Sequence, residues 1–147
     1  MLWYQLNEII NVRDAGYITD EQANAISADN ISEFTKSSIF SRIMKADKIL
    51  REYQFTVYID ASDVSEEYTC NDKVVLQGAI DCLIFEPDGI TVLDYKTDKE
   101  QDIKALGRRY EKQLVLYKKA AEQLFDMPVK NCVIYSLTLG EETEIKE

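Results

Sequence analysis

Residues 73–96 read KVVLQGAIDCLIFEPDGITVLDYK, and this stretch decides the fold. Its apolar runs predict one strand from about Lys73 to Glu86 and a second from Ile90 to about Lys96. Between them stands Pro87-Asp88-Gly89, in which proline fixes φ at the first central position and glycine tolerates a positive φ. The stretch therefore predicts an antiparallel hairpin.

Charged side chains interrupt both predicted strands. Asp81 lies within VVLQGAIDCLIF, and Asp94 and Lys96 lie within TVLDYKTD. An ionised carboxylate in a buried strand is costly unless it is paired or bound to a cation. Because side chains alternate along a strand, Asp94 and Lys96 point to the same face. These three residues are therefore the candidates for a chemical site.

The turn leaves two registers open. If Glu86 pairs with Gly89, Asp81 lies directly opposite Asp94, whereas a bulged turn places Asp81 on the other face of the hairpin. In the first register the two carboxylates could share a divalent cation, which activates a water and stabilises charge on a phosphate. The alternative is an ion pair between Lys96 and a carboxylate that orders the sheet. Residue spacing alone does not decide between the metal site and the ion pair.

The sequence around the hairpin predicts an α/β domain. Hydrophobic periodicity predicts a strand over residues 53–59, a polar loop over 61–72, a helix over 99–125 and a last strand over 129–139. Helices are predicted before them, at residues 2–12, 31–34 and 39–44 and after a capping box that runs from Thr19 to Gln22. The prediction is one domain, residues 1–147. It consists of a small helical layer, 1–47, and an α/β core with a mixed sheet, 48–147.

Composition excludes several classes of protein. The 147 residues are 46% hydrophobic and 30% charged, which is enough to build a folded core. The chain has no histidine, so Ser-His-Asp, Cys-His and HExxH chemistry are all excluded. Cys70, Cys82 and Cys132 form no CxxC pair and predict free, buried thiols. The sequence predicts neither a membrane helix nor a signal peptide, so we expect a cytoplasmic protein with no membrane partner.

Charge is distributed unevenly along the chain. The net charge of −10 argues against a free-standing nucleic-acid binder, which needs clustered Lys and Arg. Residues 96–119 nevertheless carry eight basic and four acidic side chains, a local charge of +4. A charge run is usually the solvated face of a helix, so this window gains meaning only if it lies beside a chemical site.

Three motifs carry a family resemblance. They are Gly78-Ala79-Ile80-Asp81, DYKTD at residues 94–98, and YEKQLVLY at residues 110–117. Together they resemble the PD-(D/E)xK nuclease domain of RecB type, and most of all the C-terminal nuclease domain of AddA-like helicase–nucleases. Residues 19–23, 34–40 and 51–55 extend the resemblance to nearly the whole chain. It implies a restriction-endonuclease-like core.

The resemblance also implies a role for individual residues. Asp81 and Asp94 would be metal ligands, joined by the main-chain carbonyl of Tyr95, and Lys96 would be the catalytic lysine. Gln113 and Tyr117 lie one helical turn apart and would support the site. The basic window would supply DNA contacts at Lys99, Arg108 and Arg109. The cofactor would be Mg²⁺, with Mn²⁺ able to substitute, and Glu52 would be a supporting charge rather than a ligand.

The implied function is metal-dependent hydrolysis of single-stranded DNA during double-strand-break repair. The implied partners are DNA, the helicase portion of a parent chain and a second nuclease subunit. RecB-type nucleases commonly have a histidine ligand on an upstream helix, and this chain departs from that pattern because it has no histidine. The chain also has no GxxxxGK[ST] loop for ATP. We therefore expect a fragment of a larger helicase–nuclease. The alternative is a non-catalytic docking or structural remnant of such a domain.

Overall fold

The computed structural model describes residues 28–68 and 72–146 of the chain. The helices and strands along these residues have the following bounds: α1 Ala28–Lys36, α2 Ser38–Lys45, β1 Lys48–Asp60, α3 Ala61–Val64, β2 Lys73–Glu86, β3 Gly89–Lys96, α4 Ile103–Phe125, β4 Val129–Ser136 and β5 Glu141–Ile145. The predicted helix at 2–12, the capping box at Thr19 and the thiol of Cys70 lie outside the described residues.

The strands form one mixed sheet in the order β1-β2-β3-β4-β5. Antiparallel pairing joins β1 to β2, β2 to β3 and β4 to β5, whereas β3 and β4 run parallel. The parallel pair needs a long crossover, which α4 provides. This is the predicted α/β core with a mixed sheet, and it is consistent with a restriction-endonuclease-like fold.

The central hairpin adopts the register of the two-residue turn. Glu86 pairs with Gly89, and Cys82 pairs with Leu93, so the bulged alternative is excluded. Gly89 has a φ of +146°, and a Cβ there would lie 2.6 Å from the carbonyl oxygen of Pro128. Glycine at this position therefore allows both the turn and the close approach of the chain that enters β4.

Helices cover both faces of the sheet. On one face, α4 buries an apolar stripe against the inner strands; its fully buried members are Leu106, Leu114, Ala120 and Ala121. On the other face, α2 packs Ile39 and Ile43 against Ile84, Leu93 and Tyr135. Because both faces of β3 are covered, Asp94 is only 3% exposed although it is an acid. A charged site on β3 is therefore largely removed from water.

The helix α4 starts four residues later than the predicted position 99. Asp102 is its N-cap, and the Asp102 carboxylate accepts a 2.9 Å hydrogen bond from the main-chain N–H of Lys104. The helix ends at Phe125, and Asp126 follows with a φ of +49° before Pro128. The C-terminal boundary agrees with the prediction, since neither a left-handed residue nor a nearby proline continues a helix.

Other differences from the prediction lie at the edges of the fold. The strand predicted over 129–139 ends at Ser136, and β5, which was not predicted, pairs with it after a turn at Gly140. The predicted loop 61–72 begins with the short helix α3, and the helices predicted at 31–34 and 39–44 are longer than expected. Cys82 and Cys132 are buried thiols, as predicted, and burial raises the pKa of Cys82 to about 11.

Candidate active site

Asp94 and Lys96 form a buried ion pair on the α4 side of β3. The Lys96 ammonium nitrogen lies 2.7 Å from Asp94 Oδ2, and the two side chains are 15% and 5% exposed, lysine first. Asp94 Oδ2 is buried, and the Lys96 ammonium is the donor beside it. Burial raises the pKa of Asp94, while the ammonium of Lys96 opposes the shift. The ion pair that the sequence left open as an alternative is present in the structure.

Asp81 approaches this pair from β2. The last ladder pair between β2 and β3 joins Cys82 to Leu93, so Asp81 lies one residue beyond the end of the ladder. Beyond that point Asp81 Oδ2 accepts a 2.8 Å hydrogen bond from the main-chain N–H of Tyr95. The negative charge of Asp81 also helps to raise the pKa of Asp94. The two acids therefore lie within electrostatic reach of one another at the point where the strands part.

A backbone irregularity accompanies the parting of the strands. Glu52 has a φ of +48° and stands opposite Asp81, at the one interruption of the pairing between β1 and β2. Ile80 and Leu83 both join the core beneath α4, although strict alternation would put them on opposite faces. Both strands therefore change face here, and Asp81 is released from the regular ladder. The Glu52 side chain is exposed.

Helix α4 supplies the other side of the site. The Lys96 ammonium donates a 3.3 Å hydrogen bond to Gln113 Oε1, and Gln113 Nε2 donates a 2.9 Å hydrogen bond to the hydroxyl of Tyr117. The Tyr117 ring stands edge-on to Phe55 at 5.5 Å. A Cβ on Gly78 would lie 2.9 Å from Phe55 and 3.2 Å from Tyr117, which explains the glycine of the first motif. Gln113 and Tyr117 thus share a face, as predicted. Gln113 contacts Lys96, and Tyr117 contacts Gln113.

Sequence reasoning missed the position of Tyr110 in the site. The Lys96 ammonium lies 3.9 Å from the centroid of the Tyr110 ring, and the Tyr110 hydroxyl donates a 3.0 Å hydrogen bond to Asp98. The signal was available, because Tyr110 precedes Gln113 by three residues and Tyr117 by seven, which places all three on one helical face.

The motif residues thus converge on a small, partly buried centre of mixed charge. The PD-(D/E)XK nuclease superfamily matches the chain over residues 11–146. The chain belongs to the PD-(D/E)XK nuclease superfamily. It is also similar to proteins named as the A subunit of an ATP-dependent helicase/nuclease. That of Clostridium novyi (strain NT) is 37% identical over 136 residues, 88% of this chain and 11% of that protein.

Two further relatives carry the same name. That of Desulforamulus reducens is 39% identical over 130 residues, 85% of the chain and 10% of the relative. That of Clostridium botulinum (strain Okra / Type B1) is 32% identical over 145 residues, 96% of the chain and 11% of the relative. The chain therefore spans about a tenth of the length of these curated relatives.

In this PD-(D/E)XK domain the predicted DNA-contacting residues lie outside the converging group. Lys99 is exposed. Arg108 is 3.8 Å from Asp102 in an exposed pair, and Arg109 pairs with both Asp98 and Glu100 at 3.3 and 3.5 Å. Two of the three cations therefore already have acidic neighbours, and their contact with DNA stays a prediction.

Tyr95 takes part in the site through its main chain. Its side chain lies on the opposite face of the sheet, where the ring packs edge-on against Phe34 at 5.5 Å. Burial raises the pKa of the Tyr95 hydroxyl to about 12. The ring is thus a packing element of the α1–α2 face, and metal ligation by the Tyr95 carbonyl stays a prediction.

The donor set of this nuclease domain is small for a divalent cation. Among residues 28–68 and 72–146, no group of three or more Asp, Glu, His or Cys side chains is arranged to hold a metal ion. However, Mg²⁺ needs only one or two protein carboxylates, because water and substrate phosphate complete its coordination. The buried carboxylate of Asp94 beside the charge of Asp81 fits that requirement. Asp81 and Asp94, with the Tyr95 carbonyl, are the residues that would hold the ion.

No helix in the described parts of the chain has the length and hydrophobicity that a bilayer crossing requires.

Proposed function

We propose that this chain is the nuclease domain of an AddA-like helicase–nuclease and hydrolyses phosphodiester bonds of single-stranded DNA with Mg²⁺. In this proposal its partners are DNA, a helicase portion and a second nuclease subunit. The setting is double-strand-break repair in the cytoplasm. The observation that carries the proposal is the Lys96 ammonium 2.7 Å from the buried Asp94 Oδ2, with Asp81 beside the pair. Superfamily membership and the helicase/nuclease relatives support it.

Each residue has a separate task in this proposal. Asp81 and Asp94 hold the cation, with the carbonyl of Tyr95 as a further ligand. When bound, a divalent cation supplies an activated water and stabilises the charge that develops on the phosphate. Lys96 neutralises the phosphate or holds the attacking water, and Gln113 fixes the direction of its ammonium group. Tyr117 in turn fixes Gln113.

The DNA contacts in the proposal come from the segment that precedes α4 and from the second turn of that helix. Lys99, Arg108 and Arg109 would meet the phosphate backbone beside the centre. Phosphate contacts of this kind carry no sequence information, which suits a nuclease that receives DNA of any sequence. The net charge of −10 opposes capture of DNA at long range and suits a domain to which a helicase delivers the strand.

A second candidate function is a non-catalytic docking or structural remnant. The specific observation in its favour is the small donor set, since no third acidic, histidine or cysteine ligand joins Asp81 and Asp94 within the described residues. This alternative predicts a folded domain that cuts no DNA at any concentration of Mg²⁺ or Mn²⁺.

The test is cleavage of an end-labelled single-stranded oligonucleotide by the protein that contains this chain. Asp94→Asn removes an anionic ligand with little change of volume, and Lys96→Ala removes the ammonium together with its stem. Each should lower the rate by at least about 10³-fold. Exposed residues of the same types provide matched controls: Asp88→Asn and Lys45→Ala should cut at the wild-type rate.

The outcomes separate the two functions. Cleavage by wild type that is lost only in the two site variants supports the nuclease. Cleavage that survives in Asp94→Asn and Lys96→Ala would place the chemistry elsewhere. A folded wild-type protein that never cuts would favour the remnant. Comparison with a duplex of the same sequence tests the preference for single strands, because a duplex should be cut more slowly.

A further inference from the structure

We propose that Tyr110 is a positioning residue for Lys96 and that Asp98 anchors Tyr110 through its hydroxyl. This inference rests on the proposed function, because it gives a reason for the orientation of the lysine in a nuclease centre. The carrying observation is a continuous series of contacts. Asp98 accepts a 3.0 Å hydrogen bond from the Tyr110 hydroxyl, and the ring of Tyr110 faces the Lys96 ammonium at 3.9 Å.

Lys96 is surrounded by three different contacts. The ammonium meets Asp94 Oδ2 at 2.7 Å, Gln113 Oε1 at 3.3 Å and the face of the Tyr110 ring at 3.9 Å. An ammonium has three donors on a flexible four-carbon stem, so the contacts with Asp94 and Gln113 set the direction of the ammonium but leave the stem able to swing. The electron-rich face of a tyrosine attracts a cation without accepting a directed hydrogen bond. Tyr110 thus limits the swing and leaves a proton of the ammonium for a phosphate or a water.

The orientation of the Tyr110 ring depends in turn on Asp98. Asp98 belongs to the DYKTD motif, two residues after Lys96, so the same segment carries the lysine and the anchor of its ring. Arg109 pairs with Asp98 at 3.3 Å and opposes movement of the carboxylate toward solvent. This gives Asp98 and Arg109 a role at the site that neither the motif nor the charge pattern had indicated.

A purely structural role for Tyr110 predicts different behaviour. A packing residue can be replaced by leucine at some cost in stability and with no specific effect on turnover. A positioning residue acts through its ring, so phenylalanine should retain the effect that leucine loses. Phe125 is the matched control, because it is an aromatic residue near the other end of α4 that packs against Tyr53 and Phe85 at 5.3 and 5.1 Å.

The kinetic experiment measures kcat and KM for single-stranded oligonucleotide cleavage. Tyr110→Leu should lower kcat by roughly 10- to 100-fold with little change in KM, because a displacement of the order of 1 Å has effects of this size. Tyr110→Phe should lose only a few-fold, and Phe125→Leu should keep wild-type kcat. Asp98→Ala should lower kcat in the wild-type background but not in Tyr110→Phe, which lacks the hydroxyl.

A spectroscopic experiment tests the geometry without cleavage. In the ¹³C-lysine-labelled chain, the ring current of Tyr110 should shift the Lys96 Hε signals upfield, and Lys96→Arg identifies those signals. The shift should persist in Tyr110→Phe and disappear in Tyr110→Leu. If wild type shows it and cuts no DNA, the proposed function fails while the contact stands. An absent shift, or a wild-type kcat in Tyr110→Leu, would overturn the positioning role.

Discussion

Asp81 Oδ2 accepts a 2.8 Å hydrogen bond from the main-chain N–H of Tyr95, although no ladder pair joins β2 and β3 at this level. The carboxylate thus takes the place of a main-chain acceptor. Tyr95 is itself held in parallel pairing with Tyr135 of β4. The position of Asp81 is therefore set by the backbone of β3, and it does not require a side-chain contact with Asp94.

The left-handed backbone at Glu52 should be measurable as strain. A non-glycine residue at positive φ costs about 1 kcal/mol, and a β-branched residue costs more. Glu52→Gly should therefore be as stable as wild type or up to ~1 kcal/mol more stable, whereas Glu52→Val should lose roughly 1–2 kcal/mol. Urea denaturation gives the free energies of unfolding.

Gln54 is the control for that series, because it is exposed two residues later on the same strand. Here the order should reverse, with Gln54→Gly losing about 0.5–1 kcal/mol and Gln54→Val tolerated. The same order at both positions would show that the backbone of Glu52 is unstrained.

Gly78→Ala should lower both the stability of the fold and the rate of cleavage. The added methyl would lie 2.9 Å from Phe55 and 3.2 Å from Tyr117, and Phe55 is buried, so a ring must move. We expect a loss of about 1–3 kcal/mol and slower cleavage, because Tyr117 supports Gln113. Phe55→Leu removes the closest ring, so the double variant should be less destabilised than the sum of the single variants. Strict additivity in urea denaturation would exclude the steric explanation.

Acid should weaken the fold through Glu86, at the far end of the hairpin. Hydrogen bonds from the Arg42 guanidinium, at 3.0 and 2.7 Å, hold the pKa of Glu86 at about 2, below its ordinary value of 4.5. Because the pKa of Glu86 is lower in the folded state, its ionised carboxylate stabilises the fold at pH values above the unfolded-state pKa. This stabilisation is lost as the pH falls from about 4.5 to about 2. The contribution at neutral pH is roughly 2–3 kcal/mol.

Glu86→Gln should remove this part of the pH dependence, measured as the midpoint of urea unfolding between pH 5 and pH 2.5. The matched control is Glu67→Gln at an exposed acid, which should retain it. An unchanged slope in Glu86→Gln would mean that Arg42 does not stabilise the ionised form.

The choice of metal offers another test. Mn²⁺ binds oxygen ligands more readily than Mg²⁺, which demands near-ideal octahedral geometry and loses its waters reluctantly. With only two candidate carboxylate ligands, Asp81 and Asp94, single-strand cleavage should reach half its maximal rate at lower Mn²⁺ than Mg²⁺ concentration. Equal requirements for the two ions would indicate a more complete ligand set.

The hairpin could be predicted because its information is local. Pro87-Asp88-Gly89 predicts the turn, and alternation places Asp94 and Lys96 on one face, whereas the pairing of Cys82 with Leu93 was one of two registers that the turn left open. The end of the ladder at Asp81 could not be predicted in this way. It accompanies a positive φ at Glu52 on the neighbouring strand, and neither the identity of Glu52 nor its spacing signals that conformation.

The missed features have physical reasons of their own. The sequence of β5, EETEI, has low strand propensity, and the strand is stabilised by pairing with β4 and by packing of Thr143 and Ile145 against Gly107. Gly140, with a φ of +67°, was the available cue for a hairpin turn there. The spacing of Tyr110 from Gln113 and Tyr117 indicates a shared helical face, but the identity of the group that this face contacts, Lys96, comes only from the fold.

The most direct test of the metal centre is anomalous diffraction from crystals of the chain soaked in Mn²⁺. We expect one strong peak about 2.0–2.3 Å from carboxylate oxygens of both Asp81 and Asp94, and loss of that peak in Asp94→Asn. An empty site at saturating Mn²⁺, or a peak that touches neither acid, would contradict the claim that Asp81, Asp94 and Lys96 form a metal-dependent nuclease centre.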